Sequence, residues 1–259
     1  MAALAGWTES DFTHDGFTAP VFRKGTGPGV LVFAEMPGIT PKVLAFAERI
    51  VGLGCTVVMP SLFGEPGAEP SKLRGVRTLA GACVAKRFAA FAVGETAPVI
   101  SWCRALARQL HEEVGGPGVG VIGMCFTGGF ALAMMVDDVV VAPVLSQPSV
   151  PIGVGARRKA ALPLSDADLR LVQERSDACP VLGLRFKGDP FVGTKFDTLK
   201  SALGQRFIAV ELESSDGNPA GPKPVHSVLT EHLIDEPGQP TRAALDQVLD
   251  FVRTRLALA

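Results

Sequence analysis

Continuous apolar runs recur along the chain, and they do not alternate with polar residues. Such a run is typical of a strand that is buried on both faces, as in the interior of a parallel sheet. The runs cover residues 29–35, 55–60, 119–124, 138–148, 179–189 and 206–214. We therefore predict that these segments form the strands of a parallel sheet.

Segments with helical character separate the apolar runs. They cover residues 40–54, 71–92, 98–114, 125–136, 165–175, 194–203 and 243–256. Thr40 can cap the first segment and Pro41 suits its first turn, while Ser165 with Asp168 resembles a capping box. The alternation of strands and helices predicts an α/β fold, in which helices cover both faces of the sheet. In such sheets, functional residues collect at the carboxyl ends of the strands.

The N-terminal segment has a different character. Residues 12–22 predict a small hairpin, because Asp15 and Gly16 are residues that a tight turn prefers. A length of 259 residues suits one domain. We expect a single domain over residues 1–259, with an N-terminal hairpin region at 1–28 and a lid or insertion at 150–178.

Composition and charge argue against several kinds of partner. The chain carries 25 Lys and Arg against 26 Asp and Glu, without a long run of either sign, so we expect no nucleic-acid partner. Glu9 and Asp11 precede any apolar run, which argues against a secretory signal. The longest apolar stretch, residues 128–145, contains Asp137 and Asp138 and is too short to span a bilayer. We expect a soluble, cytoplasmic protein and leave its oligomeric state open.

Cysteine and histidine usage argues against disulfides and metal sites. The five cysteines include no CxxC pair, and an odd number in a chain without a secretory signal predicts reduced thiols. The four histidines do not combine with Cys or Glu at the spacings of zinc sites. We therefore expect neither a metal nor a cofactor.

The segment VGVIGMCFTGGFALAMM, residues 119–135, carries the strongest chemical signal. A strand runs directly into Cys125 and then into a helix, with Gly123 before the cysteine and Gly128 and Gly129 after it. A nucleophile on such a sharp turn needs small neighbours, because the strand and the helix approach closely. The amide groups at the start of the helix favour a thiolate. The turn alone leaves open that Cys125 is a buried apolar side chain.

An acid and a histidine follow Cys125 in the order that α/β-hydrolases use. In that fold the nucleophile, the acid and the base lie beyond successive strands. Asp189 ends the run 179–189 in a Gly-Asp-Pro turn, and His226 lies in the loop after the run 206–214. Each residue alone is more typical of a turn or a surface loop. Together with Cys125 they form a consistent set, which predicts an α/β-hydrolase fold with a Cys-His-Asp triad.

Four motifs resemble those of the dienelactone hydrolase family, and the resemblance extends from about residue 29 onward. GMCFTGG resembles the family's Gly-x-Cys-x-Gly-Gly elbow, AEMPG its glutamate-bearing first-strand loop, KGDPFV its acid turn, and VHS its histidine loop. A cysteine rather than a serine in the elbow is fairly specific within α/β-hydrolases.

The resemblance implies a role for each matching side chain. Cys125 would be the nucleophile, His226 the base, and Asp189 the residue that orients the base. Glu35 would lie beside the thiol, hold it protonated at rest and accept its proton as substrate enters. An N-cap or loop role for Glu35 is the structural alternative.

The implied reaction is acyl transfer that cleaves a small ester or lactone. Cys125 attacks the carbonyl carbon, the backbone N–H groups of Met36 and Phe126 stabilise the oxyanion, and His226 protonates the leaving alkoxide and then activates water. Lys86 and Arg87 are candidates for binding an anionic substrate group, although clustered basic residues are usually solvated.

Three features depart from the family pattern. Thr127 stands where the elbow usually has glycine, and we expect it to crowd the turn. Thr230 stands where the enzymes of the chlorocatechol pathway carry an arginine for the substrate carboxylate. The segment 150–178 is longer than in those enzymes. The inferred fold and triad survive these changes, but specificity for dienelactone does not follow.

Two other functions remain open. A generalist carboxylesterase or thioesterase would use the same triad. A non-catalytic hydrolase-fold protein would keep Cys125 for packing, ligand binding or redox sensing, but it would have no need of Asp189 or His226. Turnover of esters and lactones by wild type and by Cys125→Ala separates these possibilities.

Overall fold

An antiparallel hairpin precedes the central sheet. The computed structural model describes residues 4–70, 88, 95–149 and 159–259. Strand β1 (Thr8–His14) pairs with β2 (Phe17–Lys24), and the turn between them has Asp15 and Gly16 at φ of 49° and 69°. Positive φ at both central residues is the geometry of a type I′ hairpin turn. The predicted hairpin is confirmed, and its strands extend beyond residues 12–22.

The hairpin joins an eight-stranded sheet. The other strands are β3 (Gly29–Phe33), β4 (Thr56–Pro60), β5 (Val119–Met124), β6 (Val140–Ser146), β7 (Val181–Phe186) and β8 (Phe207–Leu212). Their spatial order is β1-β2-β4-β3-β5-β6-β7-β8. β2 pairs with β4 in the antiparallel sense, and every pair from β4 to β8 is parallel. All six apolar runs therefore form strands, as predicted.

Helices connect the parallel strands. In the described ranges the longer helices are α1 (Pro41–Gly52), α2 (Val99–Val114), α3 (Gly128–Met134), α4 (Asp166–Arg175), α5 (Lys195–Leu203) and α6 (Pro240–Arg255). The Thr40 side chain accepts a hydrogen bond from the Val43 amide, and the Ser165 side chain accepts one from the Asp168 amide. Both predicted N-caps are therefore formed. The helix predicted over residues 71–92 lies outside the described residues.

The helices cover both faces of the sheet, because successive side chains of the buried strands point to opposite sides. Leu31 and Phe33 of β3 belong to one apolar core, which α2, α3, α4 and α5 complete. Val30 and Val32 belong to a second core, which α1 and α6 complete. This arrangement confirms the predicted α/β-hydrolase class.

The carboxyl ends of the parallel strands lie side by side. Phe33 of β3 lies opposite Gly123 of β5, which in turn lies opposite Leu145 of β6. Ser146 of β6 lies opposite Leu184 of β7. The residues that follow these four strands therefore emerge next to one another, although they are far apart in sequence.

The domain organisation stays a prediction, and so does the lid assigned to residues 150–178, of which 159–178 are described and include α4. Within the described part of the chain, no helix is both long enough and apolar enough to cross a membrane.

Candidate active site

Cys125 lies on a sharp turn between β5 and α3. Its φ is 55°, in the left-handed region that residues with a side chain seldom adopt, and a short 3-10 turn, Cys125–Thr127, leads into the helix. Such backbone strain is typical of the nucleophile elbow in α/β-hydrolases. The side chain is partly exposed at the carboxyl end of β5.

Glycines flank the turn because the neighbouring backbone leaves no room for a side chain. A Cβ atom on Gly123 would overlap the carbonyl oxygen of Thr127. A Cβ atom on Gly128 would lie 2.7 Å from the Cα atom of Pro148. Glycine at position 123 lets the chain turn sharply from β5 into the helix, and glycine at position 128 lets α3 pack against the segment after β6.

Thr127 fits the elbow without crowding it, so the expectation based on the usual glycine is wrong. Its side chain is fully buried, and its hydroxyl oxygen accepts a hydrogen bond from the Met124 amide at 3.0 Å. The hydroxyl lies 2.8 Å from the Met124 carbonyl oxygen and 3.0 Å from that of Phe33, and it can donate to either. Thr127 thus ties the end of β3 to the elbow after β5.

The sulfur of Cys125 contacts Ser149, a residue that the sequence did not single out. Their Sγ and Oγ atoms lie 3.2 Å apart, and the Ser149 amide donates to the Cys125 carbonyl at 3.0 Å. Either side chain can be the donor, so the hydroxyl can hold a thiol or stabilise a thiolate. Ser149 lies just beyond β6, and its proximity to Cys125 follows from the pairing of β5 with β6.

The other described cysteines are core residues. Cys55, Cys103 and Cys179 are buried. Burial raises the pKa of Cys55 to about 11 and also raises the pKa values of Cys103 and Cys179. Thiols with a raised pKa are poor nucleophiles near neutral pH. Cys83 lies outside the described residues.

Asp189 and His226 form a hydrogen-bonded pair. Asp189 follows β7 and is buried, and its Oδ2 lies 2.5 Å from Nδ1 of His226. Its Oδ1 accepts the Phe191 amide at 2.9 Å, which fixes the orientation of the carboxylate. Because an ionised carboxylate can only accept, Nδ1 of His226 carries a proton. Nε2 is then the ring atom that can exchange a proton with a reacting group.

The charge on His226 depends on its two neighbours. Burial lowers its pKa, but the charge on the Cys125 sulfur and the hydrogen bond with Asp189 raise it more, and the net pKa lies well above the usual histidine value. Nε2 is buried and has no partner at hydrogen-bonding geometry among the described residues. Cys125 is therefore close enough to raise the pKa of His226.

Glu35 follows β3, and its carboxylate is buried. Oε2 accepts hydrogen bonds from the Ser227 hydroxyl at 2.6 Å and from the Gln147 amide at 3.1 Å, and Oε1 accepts one from the Thr230 hydroxyl. Burial raises the pKa of Glu35, and the bonds from Ser227 and Thr230 offset only part of that rise.

Glu35 and Cys125 line the same cleft, but the carboxylate does not donate to or accept from the sulfur in this arrangement. Thr230, one of the three departures noted in the sequence, is one of the groups that hold Glu35. The carboxylate is thus held by neutral donors.

Gln147 is a further residue of this site that sequence reasoning missed. It directly follows β6, is fully buried and has a φ of 35°. Its side-chain oxygen accepts from the Ser146 hydroxyl and, at 3.3 Å, from the Val228 amide, while its nitrogen donates to Glu35. Its position at the carboxyl end of a predicted strand could have indicated that Gln147 belongs to the site.

A cleft of about 420 Å³ opens beside Cys125 and His226. Much of its wall is apolar and includes Met36, Pro37, Pro70, Phe191, Pro222 and Pro224. Phe191 is 44% exposed, and its ring meets that of His226 in a T-shaped contact with the centroids 5.3 Å apart. The volume suits a small organic molecule rather than a polymer.

The two residues whose amides are predicted to form an oxyanion hole follow the neighbouring strands β3 and β5. Met36 comes shortly after β3 and Phe126 directly after Cys125, and β3 pairs with β5. Met36 lines the cleft, whereas Phe126 lines a second cavity of about 40 Å³ together with Ser149. The predicted substrate-binding residues, Lys86 and Arg87, lie outside the described residues.

A buried lysine lies near the acid and was also missed. The Nζ atom of Lys195 donates to the carbonyl oxygens of Val192 and Lys159 at 3.2 and 3.3 Å. Burial lowers the pKa of Lys195 to about 8, and the charge of Asp189 opposes that shift. Among the described residues, no cluster of three His, Cys, Asp or Glu side chains is placed to hold a metal ion.

Comparison with known proteins gives a family and several structural relatives. The model of the dienelactone hydrolase family matches residues 17–219, well over half of the chain. The dienelactone hydrolase from Anabaena variabilis is similar in structure, with a TM-score of 0.61 and 15% identity over 97% of this chain and 99% of that one.

A dienelactone hydrolase-like promiscuous phosphotriesterase from metagenomic libraries has a TM-score of 0.62 and 16% identity, over 95% of this chain and 98% of that one. A cold-adapted esterase from an Arctic intertidal metagenomic library has a TM-score of 0.57 and 17% identity, over 98% and 96%. At such identities the likeness shows a shared fold. No curated protein gives a significant sequence match.

Proposed function

The chain belongs to the dienelactone hydrolase family, a family of hydrolases, and on that premise we propose that it cleaves a small carboxylic ester or lactone through a Cys125-His226-Asp189 triad. The proposal rests chiefly on one arrangement. A cysteine in strained backbone on a strand-to-helix turn lines the same cleft as a histidine whose Nδ1 is bonded to a buried carboxylate. Nucleophile, base and orienting acid are the parts that acyl transfer needs.

The first half of the reaction makes a thioester. The Cys125 sulfur adds to the carbonyl carbon of the substrate, and the carbonyl oxygen takes up the negative charge. The amides of Met36 and Phe126 donate hydrogen bonds to that oxygen, and one such donor typically lowers the barrier by about 3 kcal/mol. The protonated His226 then gives its Nε2 proton to the alkoxide as the C–O bond breaks, and its raised pKa keeps that proton available.

The second half returns the free enzyme. Neutral His226 takes a proton from water through Nε2, and the resulting hydroxide adds to the thioester carbonyl. The C–S bond then breaks, the acid product leaves, and the Cys125 thiolate takes back from Glu35 the proton that it gave up when substrate entered. Asp189 stays ionised throughout and holds the imidazole in the orientation that both proton transfers require.

Glu35 is proposed as the group that accepts the thiol proton when substrate enters. Its raised pKa makes the carboxylate a better proton acceptor than an ordinary glutamate. A permanently ionised carboxylate here would oppose both the thiolate and the oxyanion. Because Glu35 is bonded to Gln147, Ser227 and Thr230, this role requires it to leave at least one of those partners.

Glu35→Gln keeps the shape of the side chain and removes the base. We expect kcat/KM to fall about a hundredfold, in line with the loss of a general base. Glu236→Gln removes an exposed carboxylate outside the cleft and serves as the matched control. A Glu35→Gln enzyme with near wild-type rates across about pH 6–9 would limit Glu35 to a structural role.

The cleft favours an uncharged, largely apolar substrate. Among the described residues that line it, Lys223 is exposed at the rim, while Glu35 and Glu231 are acidic. Thr230 offers no positive charge at the position where the chlorocatechol enzymes have arginine. Among the described residues of this wall, a substrate carboxylate would therefore find no cation other than Lys223 and the triad histidine itself.

The decisive experiment is a turnover screen with p-nitrophenyl acetate, a panel of lactones and matched esters with and without a carboxylate. Cys125→Ala should lose all turnover, while Cys179→Ala, in which another buried thiol is removed, should keep it. A generalist carboxylesterase or thioesterase would prefer open-chain substrates to lactones. A binding or redox-sensing protein would turn over none of them, and that result would overturn the enzyme proposal.

A further inference from the structure

A second histidine, His232, lies behind the loop that carries His226. Its side chain is fully buried, and Nδ1 accepts hydrogen bonds from two consecutive backbone amides, that of His226 at 3.3 Å and that of Ser227 at 3.1 Å. An imidazole nitrogen that accepts two amide protons must carry its lone pair there. The ring, which also lines the cleft, is therefore bonded to the main chain of His226 and Ser227.

The other ring nitrogen fixes which tautomer is present. Nε2 lies 2.7 Å from the carbonyl oxygen of Pro222, which can only accept, so Nε2 is the donor. The backbone of His232 is tied to the same loop, because its amide donates to the Ser227 carbonyl and its carbonyl accepts from the Asn218 amide, both at 2.9 Å. The segment 218–232 is thus closed around one neutral imidazole.

Close packing leaves the ring no alternative position. Phe186 at the end of β7 makes a T-shaped contact with it, at 6.0 Å between centroids. On the opposite wall, a Cβ atom on Gly221 would lie 2.7 Å from Cδ2 of His232, so glycine is needed there. Burial lowers the pKa of His232, in agreement with a ring that has no acceptor facing Nδ1.

We propose that His232 is a positioning residue for the reaction, and that its neutral ring holds the backbone of His226 and Ser227 at the place where both side chains serve the site. This inference rests on the proposed function. Asp189 orients the imidazole of His226 through Nδ1, but it does not fix the backbone from which that imidazole extends. Ser227, the second residue held by His232, donates its hydroxyl to Glu35. The His232 ring therefore sets the position of two residues: His226, the base, and Ser227, which donates to the Glu35 carboxylate.

The test compares three substitutions that differ in which ring nitrogen they replace. His232→Asn puts a side-chain oxygen near the place of Nδ1 and can still accept from the two amides. His232→Gln puts an amide nitrogen near the place of Nε2 and keeps only the bond to Pro222. His232→Leu keeps neither. We expect kcat to fall about tenfold to a hundredfold in the Gln and Leu variants, with little change in KM. The Asn variant should keep most of the wild-type kcat.

A spectroscopic measurement separates positioning from general stability. The low-field proton resonance of the bond between His226 and Asp189 should be displaced in His232→Gln and kept in His232→Asn. A folded His232→Gln enzyme with wild-type kcat and an unmoved resonance overturns the proposal, and so does an Asn variant that is as impaired as Leu.

If the Gln and Leu variants fail to fold, NMR spectroscopy of the wild-type enzyme still tests the inference. The ¹⁵N chemical shifts of His232 should report a bare Nδ1 and a protonated Nε2 at neutral pH, and a protonated Nδ1 would overturn the inference. Failure of the proposed function would be recognised separately, because wild type would then turn over no ester or lactone, or Cys125→Ala would retain the turnover, while the resonances of His226 and His232 remained as expected.

Discussion

The described cysteines differ in what surrounds their sulfur atoms. Cys125 is partly exposed at the start of a helix and near an imidazole, whereas Cys55, Cys103 and Cys179 are buried among apolar side chains. We expect iodoacetamide to label Cys125 first near neutral pH. Esterase activity should be lost in proportion to the fraction of Cys125 that is labelled. Peptide mapping after partial labelling measures this. First reaction at Cys83 or Cys179 with activity retained would contradict the assignment of the nucleophile.

The triad partners should matter for rate rather than for folding. Asp189→Asn removes the charge that orients His226, and His226→Ala removes the acid and base, so each should lower kcat by about 10⁴. Asp138→Asn is the matched control, since the Asp138 side chain is 97% exposed and forms an ion pair with Arg175. Circular dichroism checks that the variants are folded. An active His226→Ala enzyme would refute the triad.

Among the elements, the elbow between β5 and α3 tolerates the least change. Gly123→Ala would place a methyl group against the Thr127 carbonyl, which is backbone and cannot turn aside. We expect unfolding free energy to fall by about 1–3 kcal/mol and activity to fall with it. Gly52→Ala, at the end of α1 with nothing within 4 Å of the new methyl group, should be neutral or slightly stabilising. Equal thermal stability of the two variants would show that the elbow can relax.

The elements themselves were predictable because their signals are local. Unbroken apolar runs, the Thr40 and Ser165 caps and the Asp15-Gly16 turn each depend on a few neighbouring residues, and all formed as predicted. The expectation for Thr127 failed because the family comparison considered only its size. The carbonyl groups that accept its proton come partly from β3, more than ninety residues away in sequence.

At the scale of the whole molecule, two of the unpredicted residues act through contacts with distant segments. Gln147 bonds to Glu35, 112 residues away, and Ser149 contacts Cys125, 24 residues away, so no local pattern marks them. His232 instead acts on a loop five to ten residues before it. Cys125, Asp189 and His226 were found because a resemblance and the strand order supplied that long-range information. The supporting contacts around them follow from strand pairing and loop closure, which one sequence does not reveal.

The overall stability should depend on pH through His226. Its pKa is raised in the folded protein, so the stability it contributes is fully present below its unfolded pKa of about 6.5 and is lost as pH rises through the folded value. The difference in unfolding free energy between wild type and His226→Gln should therefore shrink as pH rises from about 6.5 to the folded pKa of His226. Urea titrations at several pH values measure this. In the Cys125→Ala background the unfolding free energy should depend less on pH, because the sulfur charge that raises the pKa of His226 is absent. An unchanged pH dependence would contradict this effect of Cys125 on His226.

The hydrogen bonds that hold Glu35 join nearly opposite ends of the polypeptide, since Ser227 and Thr230 lie 192 and 195 residues further along. Contacts between such distant residues form late, because a long loop must close before they can be made. During synthesis on the ribosome, the first strands and the elbow are complete long before the histidine loop emerges. A nascent or refolding chain should therefore form its helices and much of its sheet before it can turn over substrate. Recovery of activity would then report the docking of the histidine loop.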